Sequence, residues 1–263
     1  MSTADRAGNG LPALHVLPDA DAVSLAAGSA IATALAAAIA ERGVAHWATT
    51  GGSAAPDMYR AILRPSVRET VDWTRVHTWW GDDRFVPETD PLSNVLPYRR
   101  IVEAEAGLVL PEGHVHPIRV AETLAASGGP AEAAAAYARE LAVVAPSGTD
   151  GVPVLDLVVL GVGPDGHVLS VFPGSGAWDE AASVVAIPAP THIEPHVPRV
   201  TVHPRVVAAA RAVLIVAAGA SKAVNIGRAW EGDDLRELPL RMTRRAGATW
   251  LLDEAAAAQL PRG

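Results

Sequence analysis

The 263-residue chain contains no cysteine, which excludes disulfides, thiolate nucleophiles and cysteine-built zinc sites. Lysine is nearly absent too: of the 21 basic residues, all but Lys222 are arginine. The 29 acidic residues outnumber them, for a formal charge of -8. Such a balance offers no general polyanion-binding face, so nucleic acid is not an expected partner. No uninterrupted apolar stretch nears the roughly 18 residues of a membrane span, and the opening "MSTADRAGNGLPALHV" lacks the basic-then-apolar order of an export signal. A cytoplasmic protein is expected, without membrane partners, acting as a monomer or small homo-oligomer. An anionic small molecule would need a local cationic pocket. In a chain so biased toward Arg, the single Lys suits a phosphate as a compact point charge.

Hydrophobic residues make up 49% of the chain, enough for a substantial core. The Ala-rich "SLAAGSAIATALAAAIAERG" predicts a helix closed by Gly43. "VAHWATTGG" reads as a strand ending in a glycine turn, and "SAAPDMYRAIL" as a helix started by Ser53 and Pro56. The pattern recurs. "VHTWWGDDRFVP" reads as a strand and an acidic loop, "AEAAAAYARELAVV" as a helix and "VLDLVVLGVG" as a strand. "ASVVAIP", "RVTVH" and "RAVLIVAAG" read as further strands, "ASKAVNIGRAW" as a helix, and "GATWLLDEAAAAQL" as a last strand and helix. Alternation of this kind predicts one α/β domain over residues 1–263, Rossmann-like, with a mainly parallel sheet and helices on both faces. Ligands in such folds sit at the carboxyl ends of the strands. That rule brings loops 50–53, 81–87, 161–167 and 218–222 to one rim.

Those loops carry the chemistry. Gly51, Gly52 and Ser53 precede a helix start, where free N–H groups and the dipole favour an anion; a plain turn with Ser53 as N-cap is the competing reading. Gly51-Gly52-Ser53-Ala54-Ala55 is also close to a nucleophile elbow, but the final Gly is missing and too little sheet precedes it. Asp82, Asp83 and Arg84 follow two tryptophans, so the charges emerge from a buried strand. In "GVGPDGHV", His167 is the natural general base, and Asp165 is close enough to orient it or to bind polar substrate atoms. The G-x-G-x-x-G spacing there does not make a dinucleotide site, because Pro164 and Asp165 crowd the pyrophosphate position. "HVHP" (His114, His116) and "HIEPH" (His192, Glu194, His196) match no standard ligand spacing and read as surface histidines, so no metal is expected.

Taken together, "TTGGSAAPDMYR", "WWGDDRFVPETDPLSN", "LGVGPDGHVLSVFPGS" and "PRVTVHPRVVAAARAVLIVAAGASKA" resemble the 6-phosphogluconolactonase family in order and spacing, over residues of about 20–255. The resemblance implies a sheet of the glucosamine-6-phosphate deaminase and ribose-5-phosphate isomerase type. It implies opening of 6-phospho-D-glucono-1,5-lactone in the pentose phosphate pathway, without a cofactor. By resemblance His167 activates water with Asp165 beside it. Arg84, Arg199 and Lys222 grip the phosphate with the Gly51-Gly52-Ser53 loop, and Asp82 binds substrate. Two departures stand out. Asp83 occupies a position that is usually Glu, and Leu169 and Val171 replace a usual Ala and Leu. The related deaminases carry Glu where this chain has Phe172, which favours the lactonase. A sugar-phosphate sensor without turnover and a serine hydrolase are the remaining alternatives.

Overall fold

The computed structural model describes residues 10–148 and 150–261; the first nine residues of the opening, read above as carrying no export signal, lie outside them. Strand β1 (Ala13–Leu17), not expected from the sequence, leads into α1 (Ala20–Arg42). The helix begins a turn before the predicted Ser24 because the Asp19 side chain accepts from Ala22 N–H at 2.8 Å. It ends where Gly43, at φ 80°, sends its N–H back to Ile39 O.

Helix α1 bears on the expectation that no apolar stretch spans a membrane. An 18-residue window of it reaches a mean hydropathy of 1.9, enough by length and composition to cross a membrane. Its alanines together with Val23, Leu25, Ile31, Leu35 and Ile39 supply that value. In the fold the Val23, Ala27, Ile31, Leu35 and Ala38 face is buried in the core. The helix packs tightly on α2 (Ala55–Ile62): a Cβ at Gly28 would lie 2.7 Å from that of Ala61.

Short α3 (Pro65–Arg68) and α4 (Val95–Tyr98) follow, the latter running into a π-helical stretch, Arg99–Glu105. Then come α5 (Val120–Ala125), α6 (Pro130–Val144), α7 (Pro204–Ala209) and α8 (Ala223–Ala229). The main sheet has seven strands, all parallel, in the order β1-β10-β9-β6-β2-β3-β5. They are β2 (Ala45–Thr49), β3 (Val76–Trp80), β5 (Val115–His116), β6 (Leu157–Leu160), β9 (Ala212–Ala217) and β10 (Ala248–Asp253), with β1 at one edge. Alternation assigns the faces: Leu157 and Val159 join α1 and α2 in one core, while Val158 and Leu160 join α6, α7 and α8 in the other. The chain is therefore a parallel sheet covered by helices on both sides, as its pattern predicted.

Three predictions are corrected. Segment 81–87 is not simply an acidic loop, since Asp82–Arg84 forms β4. This strand pairs antiparallel with β8 (Arg199–Val202), which pairs with β7 (Val184–Ile187), in a second sheet of order β4-β8-β7. Short buried apolar runs read alike in either sheet, and three charges disguised β4. The final helix is absent: residues 254–260 are turns, started by Asp253 accepting from Ala256 N–H. And "HVHP" is not surface. His116 is buried in β5, with Nε2 2.9 Å from His77 Nδ1 and Nδ1 2.7 Å from Glu140 Oε1. His46 stacks on His77 at 4.4 Å and His77 on His114 at 3.9 Å, a column of imidazoles toward the amino ends of the strands.

Candidate active site

At the opposite, carboxyl ends of the strands lies a cleft of about 560 Å³. Gly51, Gly52, Ser53, Asp82, Arg84, His167, Arg199 and Lys222 all line it; Asp165 does not.

The turn after β2 is held open by its glycines. Gly52 sits at φ 77°, and a Cβ on Gly51 would fall 1.8 Å from Asn94 Oδ1. Ser53 is not the N-cap of α2: Ala54 takes that position with no side-chain cap bond, and Pro56 occupies the first turn. Ser53 is exposed in the cleft wall, and its hydroxyl makes no hydrogen bond among the described residues.

The two acidic neighbours have separate duties. Asp82 reaches the cleft, accepting from Ser170 Oγ at 2.6 Å and from Asn94 Nδ2 at 3.3 Å. Asp83 points away and accepts from Arg84 N–H, Ser93 Oγ–H and Asn94 N–H. Burial pushes its carboxyl up to about 7 against the pull of those three donors. Its work is to hold the turn that brings Asn94 against Gly51.

Arg84 and Arg199 face each other across the β4–β8 pair. Arg84 Nη1 donates to Leu92 O at 2.5 Å, and Arg199 Nη2 to Pro195 O at 3.2 Å. The Nε of each is buried without a hydrogen-bond partner among the described residues. Burial, and then the charge of Arg84, lower the pKa of Arg199 against the opposing pull of Asp82. Lys222 follows the turn at Gly219, which sits at φ 94° with its N–H on the Asp253 carboxylate at 3.0 Å. Burial lowers the ammonium pKa, and the lysine forms no ion pair among the described residues. Two facing, under-paired arginines and an unpaired lysine thus line one cleft, an arrangement that can hold an anion, because an anion there would relieve desolvation and the Arg84–Arg199 repulsion.

His167 is reached through the turn after β6. Asp165 Oδ1 lies 2.5 Å from His167 Nδ1 and also accepts the His167 N–H at 3.1 Å. Burial raises the Asp165 carboxyl, but the bonds and charge of His167 and the bond of His192 outweigh it and hold the group well below the usual carboxylate range. An ionised Asp165 fixes the proton of a neutral imidazole on Nδ1 and leaves Nε2 free to accept a proton. Gly163 makes room, since a Cβ there would be 2.0 Å from Nδ1. After the histidine the chain turns sharply at Leu169, left-handed at φ 56°. Such a backbone costs about 1–2 kcal/mol for a non-glycine residue. The turn sends Ser170 to Asp82 and lays the Leu169 side chain over Gly81, where a Cβ would be 2.5 Å from Cδ2. Phe172 stands 4.7 Å from His167, so the imidazole has a ring and not a second carboxylate on that side.

Residues to which sequence reasoning gave no role in the site support it. Thr50 Oγ1 accepts Gly161 N–H at 3.4 Å, tying two rim loops together. Asn94 and Ser170 steady Asp82, and His192 reaches Asp165. "PLSN", beside the acidic cluster, was the one signal for Asn94. Among the described residues no group of three or more His, Asp or Glu side chains is arranged to hold a metal ion.

Comparison with known proteins agrees with this geometry. The chain is 38% identical over 261 residues to a 6-phosphogluconolactonase of Streptomyces coelicolor, covering 95% of each sequence. It is 34% identical over 250 residues to one of Mycobacterium tuberculosis, covering 94% of this chain and 98% of that one. The structure of 6-phosphogluconolactonase from Trypanosoma cruzi superposes with a TM-score of 0.82 at 25% identity, over 98% of this chain and 100% of that one. The sequence model of the glucosamine-6-phosphate isomerases/6-phosphogluconolactonase family matches residues 18–251, and the chain belongs to that family.

Proposed function

We propose that the protein hydrolyses 6-phospho-D-glucono-1,5-lactone to 6-phospho-D-gluconate, a carboxylic ester hydrolysis of the oxidative pentose phosphate pathway, with no cofactor. The observation that carries this reading is an imidazole oriented by a carboxylate, His167 on Asp165, in one cleft with the under-paired cations Arg84, Arg199 and Lys222. At about 560 Å³ the cleft suits a phosphosugar.

The cations and the N–H groups of the Gly51-Gly52-Ser53 turn bind the phosphate, and Asp82 accepts from sugar hydroxyls. Anchoring the remote phosphate places the lactone carbonyl by His167, which converts binding energy into orientation. Nε2 takes a proton from water as its oxygen bonds to the carbonyl carbon. The tetrahedral intermediate then expels the ring oxygen, which receives that proton from His167, and the open acid ionises. Asp165 stabilises the transient imidazolium throughout. Loops from both sheets line the cleft, which supports treating the chain as one domain. A phosphorylated substrate does not cross membranes, so we place the reaction in the cytoplasm.

The test is hydrolysis of freshly prepared 6-phosphogluconolactone at slightly acid pH, where spontaneous opening is slow, beside the unphosphorylated lactone. Fast turnover of the phosphorylated compound alone supports the reading. A rate equal to buffer, with 6-phosphogluconate still bound, would instead make the protein a sensor.

A further inference from the structure

The Asp165 carboxylate serves two histidines. While Oδ1 takes His167, Oδ2 lies 2.9 Å from Nε2 of His192, which sits 27 residues away between β7 and β8. The two rings differ in exposure: the His192 side chain is 52% accessible, that of His167 15%. Phe172 fills the space between them, 4.7 Å from the His167 ring and edge-on to His192 at 5.4 Å. Arg199 in turn lies 5.3 Å from the centre of the Phe172 ring. His192 is therefore seated by a carboxylate and an aromatic edge, and its neighbours Ile193 and Glu194 line the cleft.

We propose that His192 is a positioning residue for the reaction: by donating its Nε2–H to Asp165 Oδ2, it fixes the carboxylate with Oδ1 toward His167 and moderates the negative charge that Oδ1 offers the imidazole. The inference rests on the reading of His167 as the base. An Asp carboxylate turns easily about its last torsion, whose energy profile is broad and two-fold. His167 alone engages one oxygen; a donor on the second removes that freedom. The same donor draws charge from Oδ1, because hydrogen bonds to an ionised group polarise it. The charged and titratable groups facing this unit are few. Asp165 meets His167 and His192 directly, and Arg199 and Lys222 act on it through space. On the segment of His192 itself, Glu194 is paired with His196 at 3.1 Å.

His192→Ala and His192→Gln separate this role from simple packing. The Gln amide N–H can reach where imidazole Nε2–H reached. For His192→Ala we expect kcat to fall roughly tenfold, the size of one weak charge-assisted hydrogen bond, with KM within about twofold. The acid limb of the kcat/KM profile should move to higher pH, since an undonated Asp165 makes His167 more basic. Imidazole NMR of the unliganded protein should show the same upward move in the His167 titration, and His192→Gln should restore all three. An unchanged His167 titration and pH profile in His192→Ala would overturn the proposal, as would a Gln variant no better than Ala. His167→Ala, run alongside, keeps the two readings distinct. Full turnover there refutes the base assignment, whereas the NMR titration tests the His192–Asp165 coupling without any turnover.

Discussion

The imidazole of His167 lies flat against Gly163, so closely that a Cβ on residue 163 would sit 2.0 Å from Nδ1 and 2.1 Å from Cε1. The glycine is the floor of the imidazole's seat. Gly163→Ala must push the ring off Asp165. The expected result is a fall in kcat of about a hundredfold, the scale of a displacement near 1 Å, with KM for the phosphorylated lactone little changed. Steady-state kinetics with a circular dichroism control checks it; a Gly163→Ala enzyme with wild-type kcat would show that the ring need not sit there.

The cation cluster makes a prediction about binding. Arg84→Ala or Lys222→Ala removes a charged group that the fold leaves under-paired. Each should raise KM for the phosphorylated lactone by roughly 10- to 150-fold, the worth of about 1.5–3 kcal/mol for a charged hydrogen bond. Turnover of an unphosphorylated lactone, however slow, should not respond. An unchanged KM in both variants would remove the phosphate from these cations.

Asp83, buried and accepting three hydrogen bonds, predicts a structural effect. Asp83→Ala orphans three donors and frees the turn that sets Asn94 against Gly51. Urea unfolding should show a loss of roughly 1–3 kcal/mol, with Asp83→Asn milder because its oxygen still accepts. Equal stability of Asp83→Ala and wild type would contradict that role.

The imidazole column predicts acid sensitivity. Burial first, and then neighbouring imidazoles, lower His77 to about 3; burial lowers His46 to about 4 against the opposing charge of Asp156. Both lie below the 6.5 of an unfolded histidine. The unfolded chain thus binds more protons in that window. The column's contribution is complete above about pH 6.5 and lost as pH falls toward the folded values. Asp83 acts the other way, since its carboxyl is raised to about 7 from 3.8. A difference experiment isolates the column. On going from about pH 7 to about pH 5, the urea midpoint of His77→Gln should drop less than that of wild type. Parallel drops would show that these rings do not carry the acid response. Glu140 on His116, with Arg119 beyond it, and Asp156 with Arg42 and Arg211 are the charges facing the column.

What the sequence made legible follows the range of each signal. The glycine turns after β2 and β6 and the lone Lys are local features, and the parallel-strand rule was enough to bring their loops to one rim. The strand Asp82–Arg84 was hidden because its partners lie more than 100 residues away in β8 and its charges imitate a loop. Helix α1 is as apolar as a span by length and composition, and its packing against α2 and the sheet shows where that surface goes. "HVHP" and "HIEPH" carry no helical ligand spacing, and their real partners, His77, Glu140 and Asp165, are set by tertiary contact. Ser53 was given a cap's duty on composition alone, while the helix begins one residue later.

The central claim is that His167, oriented by Asp165, is the base that activates water. Its most direct test compares wild type with His167→Ala for hydrolysis of 6-phosphogluconolactone at slightly acid pH, with binding of 6-phosphogluconate measured on both. The account predicts that kcat falls by about 10²–10⁴-fold in the variant, the usual contribution of a general base, while product binding and folding persist. A variant that turns over the lactone at the wild-type rate would contradict it.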